Sequence, residues 1–336
     1  MVNKANPKNK IYAIEVNNLI KNFGNLTAVN NISFSVNEGE IYGLLGPNGA
    51  GKTTTILILT TMLSLTSGNV RIFDKDIINK NIIRQMIGIV FQDPTLDEDL
   101  TAFENLDFHA RLYNIKVNKK QIINNVLKLV ELEDKADKQV KSFSGGMKRR
   151  LEIARSFMHE PKILFLDEPT IGLDPQTRRK IWDYIKKLNE KQKITIILTT
   201  HYLEEADELC NRVSIIDHGK IIKTGTPKEL KSSFGGDIIL INIEKKQEFK
   251  KILLNSAFIK SIKQTKTGLE IIVNKDGTKL IPKIVELAAK SKININSIAL
   301  KQHTLEDVFI SLTGKNIRDS TPDASEKMKL KFGGRR

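Results

Sequence analysis

The sequence predicts an α/β fold: a mostly parallel sheet with helices around it, a helical block inserted into that sheet domain, and a smaller α+β domain of ferredoxin-like order after it. Three observations predict this. Short apolar strands alternate with helical stretches from Ala13 to Ile216, which argues parallel strands joined by crossover helices. Between about residues 97 and 160 the strand pattern stops and the chain looks purely helical. Past Gly235-Gly236 the pattern restarts in the order βαββαβ.

In chain order, residues 13–16 and 32–36 are short alternating or apolar runs that read as strands. Residues 41–45 form a continuous apolar strand ending in a glycine loop, and a helix follows from Gly51 into Met62. The turn Thr66-Ser67-Gly68 leads to a strand over 69–73, and 87–91 reads as a buried strand. Thr101-Ala102-Phe103-Glu104 is a capping box, in which a hydroxyl and a carboxylate satisfy free amides at a helix start. Phe103, Leu106, Ala110 and Tyr113 then share one helix face, and Ile122, Ile123, Val126, Leu127 and Val130 share the next. Strands return at 163–166, 194–199 and 213–216. The last domain reads as strand 238–243, helix 247–254, a hairpin of 258–264 and 269–273 around Lys266-Thr267-Gly268, helix 280–289 and strand 295–300. Thr304-Leu305-Glu306-Asp307 caps a final short helix. The expected domains are a leader (1–10), the sheet domain (11–234) holding the helical block (about 95–160), the small domain (235–314) and a disordered basic tail (315–336).

Composition bounds the function. A chain of 336 residues, 40% hydrophobic and 28% charged, is globular and long enough for two domains. Its single cysteine, Cys210, cannot close an internal disulfide, so a reducing compartment fits. Residues 1–11 are polar and basic, so no secretory signal is expected. No run approaches the roughly 18 apolar residues of a spanning helix, so this chain is not expected to cross a membrane by itself. The net charge is +15, and the residues from Gly235 onward, with 20 Lys/Arg against 11 Asp/Glu, carry more than half of it. A solvated Lys-rich surface accounts for that excess; by charge alone, nucleic acid and an anionic membrane surface also stay open.

Gly46-Pro47-Asn48-Gly49-Ala50-Gly51-Lys52-Thr53 fits G-x-x-x-x-G-K-[ST], with Thr54 next. Its glycines let successive amides point at phosphate oxygens, and the helix opening at Gly51 adds its positive end. Lys52 can reach the β- and γ-phosphates and the Thr53 hydroxyl can ligate Mg²⁺. A chance glycine turn would lack the apolar strand before it and the helix after it. Ile163-Leu164-Phe165-Leu166-Asp167-Glu168 is a buried strand ending in two acids, which is costly unless they have partners or work. Asp167 can hold the Mg²⁺ shell and Glu168 can polarise a water; either alone would also read as a helix cap.

At these residues the chain resembles the nucleotide-binding subunit of an ATP-binding cassette (ABC) transporter. Phe143-Ser144-Gly145-Gly146-Met147 is similar to the family signature Leu-Ser-Gly-Gly-Gln, with Met in place of Gln, and Lys148-Arg149-Arg150-Leu151 follows as in the family. The remaining marks stand in order: Phe23, where the family has an aromatic that stacks on adenine, commonly Tyr; Gln92 of the Q-loop; Asp174 of the D-loop; and His201 of the switch. The resemblance covers about residues 14–230. The late strings Thr200-His201-Tyr202-Leu203-Glu204-Glu205 and Thr304-Leu305-Glu306-Asp307-Val308-Phe309, with a small domain after Gly225-Thr226-Pro227, resemble the drug-exporter, daunorubicin-resistance-like branch.

The resemblance implies an ATPase with ATP and Mg²⁺ as cofactors. It implies Lys52, Gln92, Glu168 and His201 as catalytic, and Thr53, Gln92 and Asp167 around the metal. Nucleotide contacts are implied for Phe23, residues 46–54, Ser144, Gly145, Gly146 and Asp174. Two copies would stack head to tail, the phosphate loop of one and Ser144-Gly145-Gly146 of the other enclosing each ATP. Glu168 would deprotonate the water, His201 would contact the γ-phosphate, and Gln92 would report occupancy to the helical block. The permease would be a separate membrane subunit, and this chain would sit in the cytoplasm against the inner face of the membrane, its small domain supporting dimerisation or regulation. An importer cassette is the nearest alternative. A nucleic-acid ATPase fits less well, because repair types carry a long coiled coil where this chain has a compact helical block. His109, His159, His218 and His303 are expected on the surface or in caps, Cys210 and Met62 in the core, and Trp182 in packing.

Overall fold

The computed structural model describes residues 12–233, 237–254, 256–274, 277–301 and 303–313. The expected leader, the Gly235-Gly236 junction and the basic tail lie outside them. The chain divides into two compact units, with Thr224 closing the first and Gly225 opening the second.

The first unit holds two sheets. One has six strands in the order β10-β9-β3-β8-β7-β6. They are β3 (Ile41–Leu45), β6 (Ile87–Val90), β7 (Ile163–Asp167), β8 (Thr195–Thr200), β9 (Arg212–Asp217) and β10 (Lys220–Gly225). β3 pairs in parallel with β8 and β9, and β7 with β6 and β8. β3, β7 and β8 are buried along their whole length, which is why their central residues are apolar without the alternation of a half-exposed strand. The second sheet has the order β2-β1-β4-β5, from β1 (Tyr12–Phe23), β2 (Leu26–Asn37), β4 (Ser67–Ile72) and β5 (Lys75–Asp76). β1 and β2 run further than the alternation predicts because their pairing shifts register at several points, one beside Asn18 at φ 51°. One core joins the two sheets, with Ile14, Leu19, Ile32 and Val70 packed with Tyr42, Phe165 and Ile197. Helix α1 (Lys52–Leu59) lays Ile56, Ile58 and Leu59 into it.

Three details depart from the sequence reading. α1 stops at Leu59, because the Thr60 hydroxyl bonds back to Ile56 O and Thr61 turns left-handed at φ 64°. Met62, beyond that stop, is exposed rather than core. β10 was not anticipated: its Lys220-Ile221-Ile222-Lys223 is half polar, and it is joined to β9 by His218-Gly219, both with positive φ as a two-residue hairpin requires.

The helical block contains α3 (Ala102–Leu112), α4 (Lys119–Leu129) and α5 (Gly145–Phe157). It is not purely helical: short 3₁₀ turns lie at 133–135 and 140–142, and Thr101 bridges Gln139. The Thr101–Glu104 capping box forms in full. Helices α2 (Lys80–Met86), α6 (Pro175–Gln192) and α7 (Leu203–Leu209) complete the unit. No helix among the described residues is long and apolar enough to cross a membrane.

The second unit begins with α8 (Pro227–Ser232) and ends with α11 (Leu305–Thr313). Between them β11 (Ile238–Ile243), β12 (Ile259–Gln264), β13 (Gly268–Val273) and β14 (Ile295–Lys301) form an antiparallel sheet in the order β12-β13-β11-β14. Helices α9 (Lys246–Leu254) and α10 (Gly277–Lys290) bury Phe249, Leu253 and Ile284 against Ile239, Ile241 and Ile271. Gly268 has no room for a side chain, since a Cβ there would sit 1.7 Å from Ile241 O. Gly268→Ala is therefore expected to destabilise this unit by roughly 3 kcal/mol. Calorimetry should show the transition of the second unit falling while ATP affinity is unchanged; a loss of ATP binding in step with that transition would show the two units do not fold separately.

Candidate functional site

The parallel register builds the site. Leu45 of β3 stands beside Thr200 of β8, and Asp167 of β7 stands beside Thr199. The carboxyl ends of three adjacent strands thus meet at one point, where ligands bind in open α/β sheets.

β3 runs into the loop 46–51. Gly51 has φ 101°, and a Cβ on it would lie 2.5 Å from Ala28 O; one on Gly46 would lie 2.2 Å from Ile216 O. Asn48 and Gly49 are exposed, Ala50 is buried and Thr54 is half-buried. Lys52 is buried and folds back over the loop, donating to Gly46 O at 2.8 Å and Pro47 O at 3.0 Å. Burial lowers its pKa, although Glu168 and Asp167 pull the other way. The Thr53 hydroxyl donates to Asp167 Oδ1 at 3.3 Å.

Asp167 is buried at the end of β7 and accepts a second hydrogen bond from the Thr199 hydroxyl. Desolvation raises its pKa against those two bonds. Glu168 follows in the left-handed region, at φ 48°. Its amide donates to Thr199 O and Thr199 Oγ1, both at 3.1 Å. Its carboxylate lies 3.6 Å from Lys52 Nζ and 3.0 Å from His201 Nδ1, the latter off the axis of a formed hydrogen bond. Burial would raise Glu168, but the His201 ring and the Lys52 charge outweigh it and hold the carboxyl below its ordinary value. Lys52, Thr53, Asp167, Glu168 and His201 are thus brought together.

Other anticipated residues lie apart from this cluster. Phe23 ends β1, 43% exposed, with Lys21 Nζ 4.9 Å from its ring centre. Gln92 is exposed just after β6. Ser144 caps α5, accepting from Met147 N at 3.3 Å. Gly146 lets α5 approach α6, since a Cβ there would meet Thr177 Cγ2 at 2.3 Å. Asp174 caps α6, accepting from the amides of Gln176 and Thr177. Among the described residues no hydrogen bond or ion pair joins Ser144, Gly145, Gly146 or Asp174 to the loop 46–53.

Sequence reasoning gave no role to Arg149, Glu152 or Glu205. Arg149 and Glu152 form a buried ion pair at 3.0 Å. Glu205 is fully buried, accepts from Thr170 at 2.8 Å and Trp182 at 2.9 Å, and burial raises its pKa. Trp182 therefore does more than pack. Arg149 stands in the Lys148-Arg149-Arg150 run, where composition does not say which of the three basic side chains is buried. His109 and His159 are half-buried rather than freely exposed: Tyr113 stacks on His159 at 3.9 Å and lies 4.8 Å from His109, and burial lowers His109 to about 4.

Comparison with known proteins agrees with this architecture. Residues 29–171 match the model of the ABC transporter family, and 225–313 match the C-terminal domain of DrrA1-3-like ATP-binding proteins. The linearmycin resistance ATP-binding protein LnrL of Bacillus subtilis is 38% identical over 91% of this chain and 100% of its own length. The daunorubicin/doxorubicin resistance ATP-binding protein DrrA of Streptomyces peucetius is 37% identical over 95% of this chain and 98% of its own. Among solved structures, the dimeric ATP-binding cassette MJ0796 in a post-hydrolysis state with ADP and Pi superposes with a TM-score of 0.57 at 29% identity, covering 63% of this chain and 98% of that one. With a relative this similar along nearly its whole length, and with an ATP-type phosphate loop at the sheet's switch point, the chain belongs to the ATP-binding, ATP-hydrolysing subunits of ABC transporters and carries the C-terminal domain of the daunorubicin-resistance branch.

Proposed function

We propose that this protein powers export of a drug, or of another small molecule or ion, through a separate membrane permease, working as an ATP-dependent homodimer at the cytoplasmic face of the membrane. The observation that carries the reading is the convergence of Lys52, Thr53, Asp167, Glu168 and His201 on adjacent strand ends. Resistance proteins among the relatives support export.

In this reading the amides of 46–54 and Lys52 bind the phosphates, and Phe23 stacks on the adenine. Glu168 orients the attacking water and takes its proton, with His201 beside it against the γ-phosphate. The His201 ring and the Lys52 charge hold the Glu168 carboxyl below its ordinary value, so it is ionised and has a lone pair to accept a proton. Thr53 and Asp167 offer an all-oxygen donor pair, the chemistry a hard cation takes, and these two with Gln92 would hold Mg²⁺. When bound, Mg²⁺ neutralises charge on the phosphates. Ser144, Gly145 and Gly146 at the α5 terminus, with Asp174, would meet the nucleotide of the second copy, consistent with the lack of any bond to their own phosphate loop. We assign the unit after Gly225 a role in dimer stability or regulation, because its sequence carries no phosphate loop.

Phe108 and Leu112, one turn apart on α3 and 60% and 66% exposed, fit the docking of the permease on the helical block. Replacing both by Asp should leave the ATPase rate of the isolated subunit within about twofold and cut co-purification with the permease at least tenfold. Equal recovery would reject that face. Substrate accumulation in inside-out vesicles should require ATP and this chain; accumulation without either would overturn the export reading.

A further inference from the structure

Away from the phosphate site, the Arg149 side chain makes five hydrogen bonds. It stands on the second turn of α5 and is only 6% exposed. Each of its N–H donors is spent. Nε donates to Pro169 O at 2.7 Å, and Nη2 donates to Asp167 O and Glu168 O, both at 3.0 Å. Nη1 donates to Phe91 O and to Glu152 Oε2. Glu152 Oε1 in turn accepts from Thr95 N at 2.8 Å. A guanidinium has five donors in a rigid fork, so this arrangement is saturated and a flexible ammonium cannot copy it.

Three of those acceptors are consecutive carbonyls, 167 to 169, and the middle one belongs to Glu168. A glutamate in the left-handed region costs about 1–2 kcal/mol unless its surroundings enforce it. Here Thr199 grips the Glu168 amide and Arg149 grips the carbonyls on both sides of the strained link. That backbone conformation turns the carboxylate from the strand end toward Lys52 and His201. The remaining Arg149 contact and its Glu152 partner hold the chain just before and just after Gln92, so the clamp is anchored in the Q-loop segment.

We propose that Arg149, braced by Glu152, is the positioning residue for the catalytic carboxylate, acting by fixing the left-handed backbone at Glu168. The inference rests on Glu168 being the base. It touches neither the phosphate loop nor Lys52, so its loss should lower kcat and leave nucleotide affinity alone.

The test is Arg149→Lys, which keeps the charge and loses the fork, measured alone and on a Glu168→Gln background. Alone, kcat should fall at least thirtyfold with the Kd for ATP within about threefold. On the Glu168→Gln background, single-turnover hydrolysis with excess enzyme should show no further fall beyond about threefold, because the positioned group is already gone. Retention of more than half the wild-type kcat, an effect confined to Kd, or the same fold-loss in both backgrounds would overturn the assignment. Should Arg149→Lys lose its native melt, Glu152→Gln carries the same comparison: kcat falls at least threefold, and the fall disappears on the Glu168→Gln background. A full-sized effect of Glu168→Gln with none from the clamp refutes the clamp alone; near-normal turnover in Glu168→Gln refutes the base itself.

Discussion

Glu168→Gln is expected to bind ATP, hold two copies together and leave the nucleotide unhydrolysed. The amide keeps the size of the side chain and can still contact a water, but it cannot accept a proton. A positioned base contributes about 10²–10⁴-fold, so turnover should fall by that order. Binding should survive, because Lys52, the loop amides, Thr53 and Asp167 are untouched; the substitution also removes one of the two carboxylates competing for Lys52. On the proposed two-copy arrangement, ATP would link the phosphate loop of one copy to the α5 terminus of the other through charge-assisted contacts, and a ligand that binds the closed pair better shifts the population toward it. Hydrolysis would then break the γ-phosphate link and the pair would reopen. Sizing chromatography or small-angle scattering should show a compact dimer with ATP, and with ADP a monomer or a looser dimer held by the second unit. The same state with both nucleotides, together with near-wild-type turnover, would remove Glu168 as the base and put the two-copy sandwich in doubt.

Lys52→Ala should abolish turnover by a different route, through loss of nucleotide affinity. The ammonium is buried, hydrogen-bonded to Gly46 O and Pro47 O, and 3.6 Å from Glu168. Its lowered pKa reflects the cost of burying a charge that two carboxylates only partly offset, so an anionic phosphate would complete its neutralisation. Truncating one partner of a buried charge pair costs about 2–5 kcal/mol, which corresponds to roughly 30- to 4,000-fold in Kd. The fold should hold, because the hydrogen bonds lost are those of the ammonium to Gly46 O and Pro47 O, and the joint core of Tyr42, Phe165 and Ile197 keeps its residues. Titration with a fluorescent ATP analogue and a thermal melt separate the two effects. Normal ATPase rates in a folded Lys52→Ala protein would refute the phosphate-loop assignment.

Where the local pattern carries its own physics, the sequence was sufficient. The loop 46–53 announces itself through glycine spacing after an apolar strand, because only backbone without side chains curls tightly enough there. Asp167 and Glu168 stand out because two acids ending an apolar strand need partners. The Thr101–Glu104 box and the order of the second unit were likewise legible, since capping and period-two alternation are short-range. Fold class, phosphate loop, acid pair and family likeness are therefore all local readings. Strand order is not local: β8 lies between β3 and β7, which puts Thr199 against Asp167 and His201 against Glu168 from residues more than thirty positions apart. Packing likewise buries one arginine of a basic run, which clamps the backbone of Glu168, while its neighbour Lys148 pairs with Glu98 nearer the surface. Charge is alike for both residues, but they point roughly 100° apart around α5; which of those faces meets the end of β7 is set by strand order and packing.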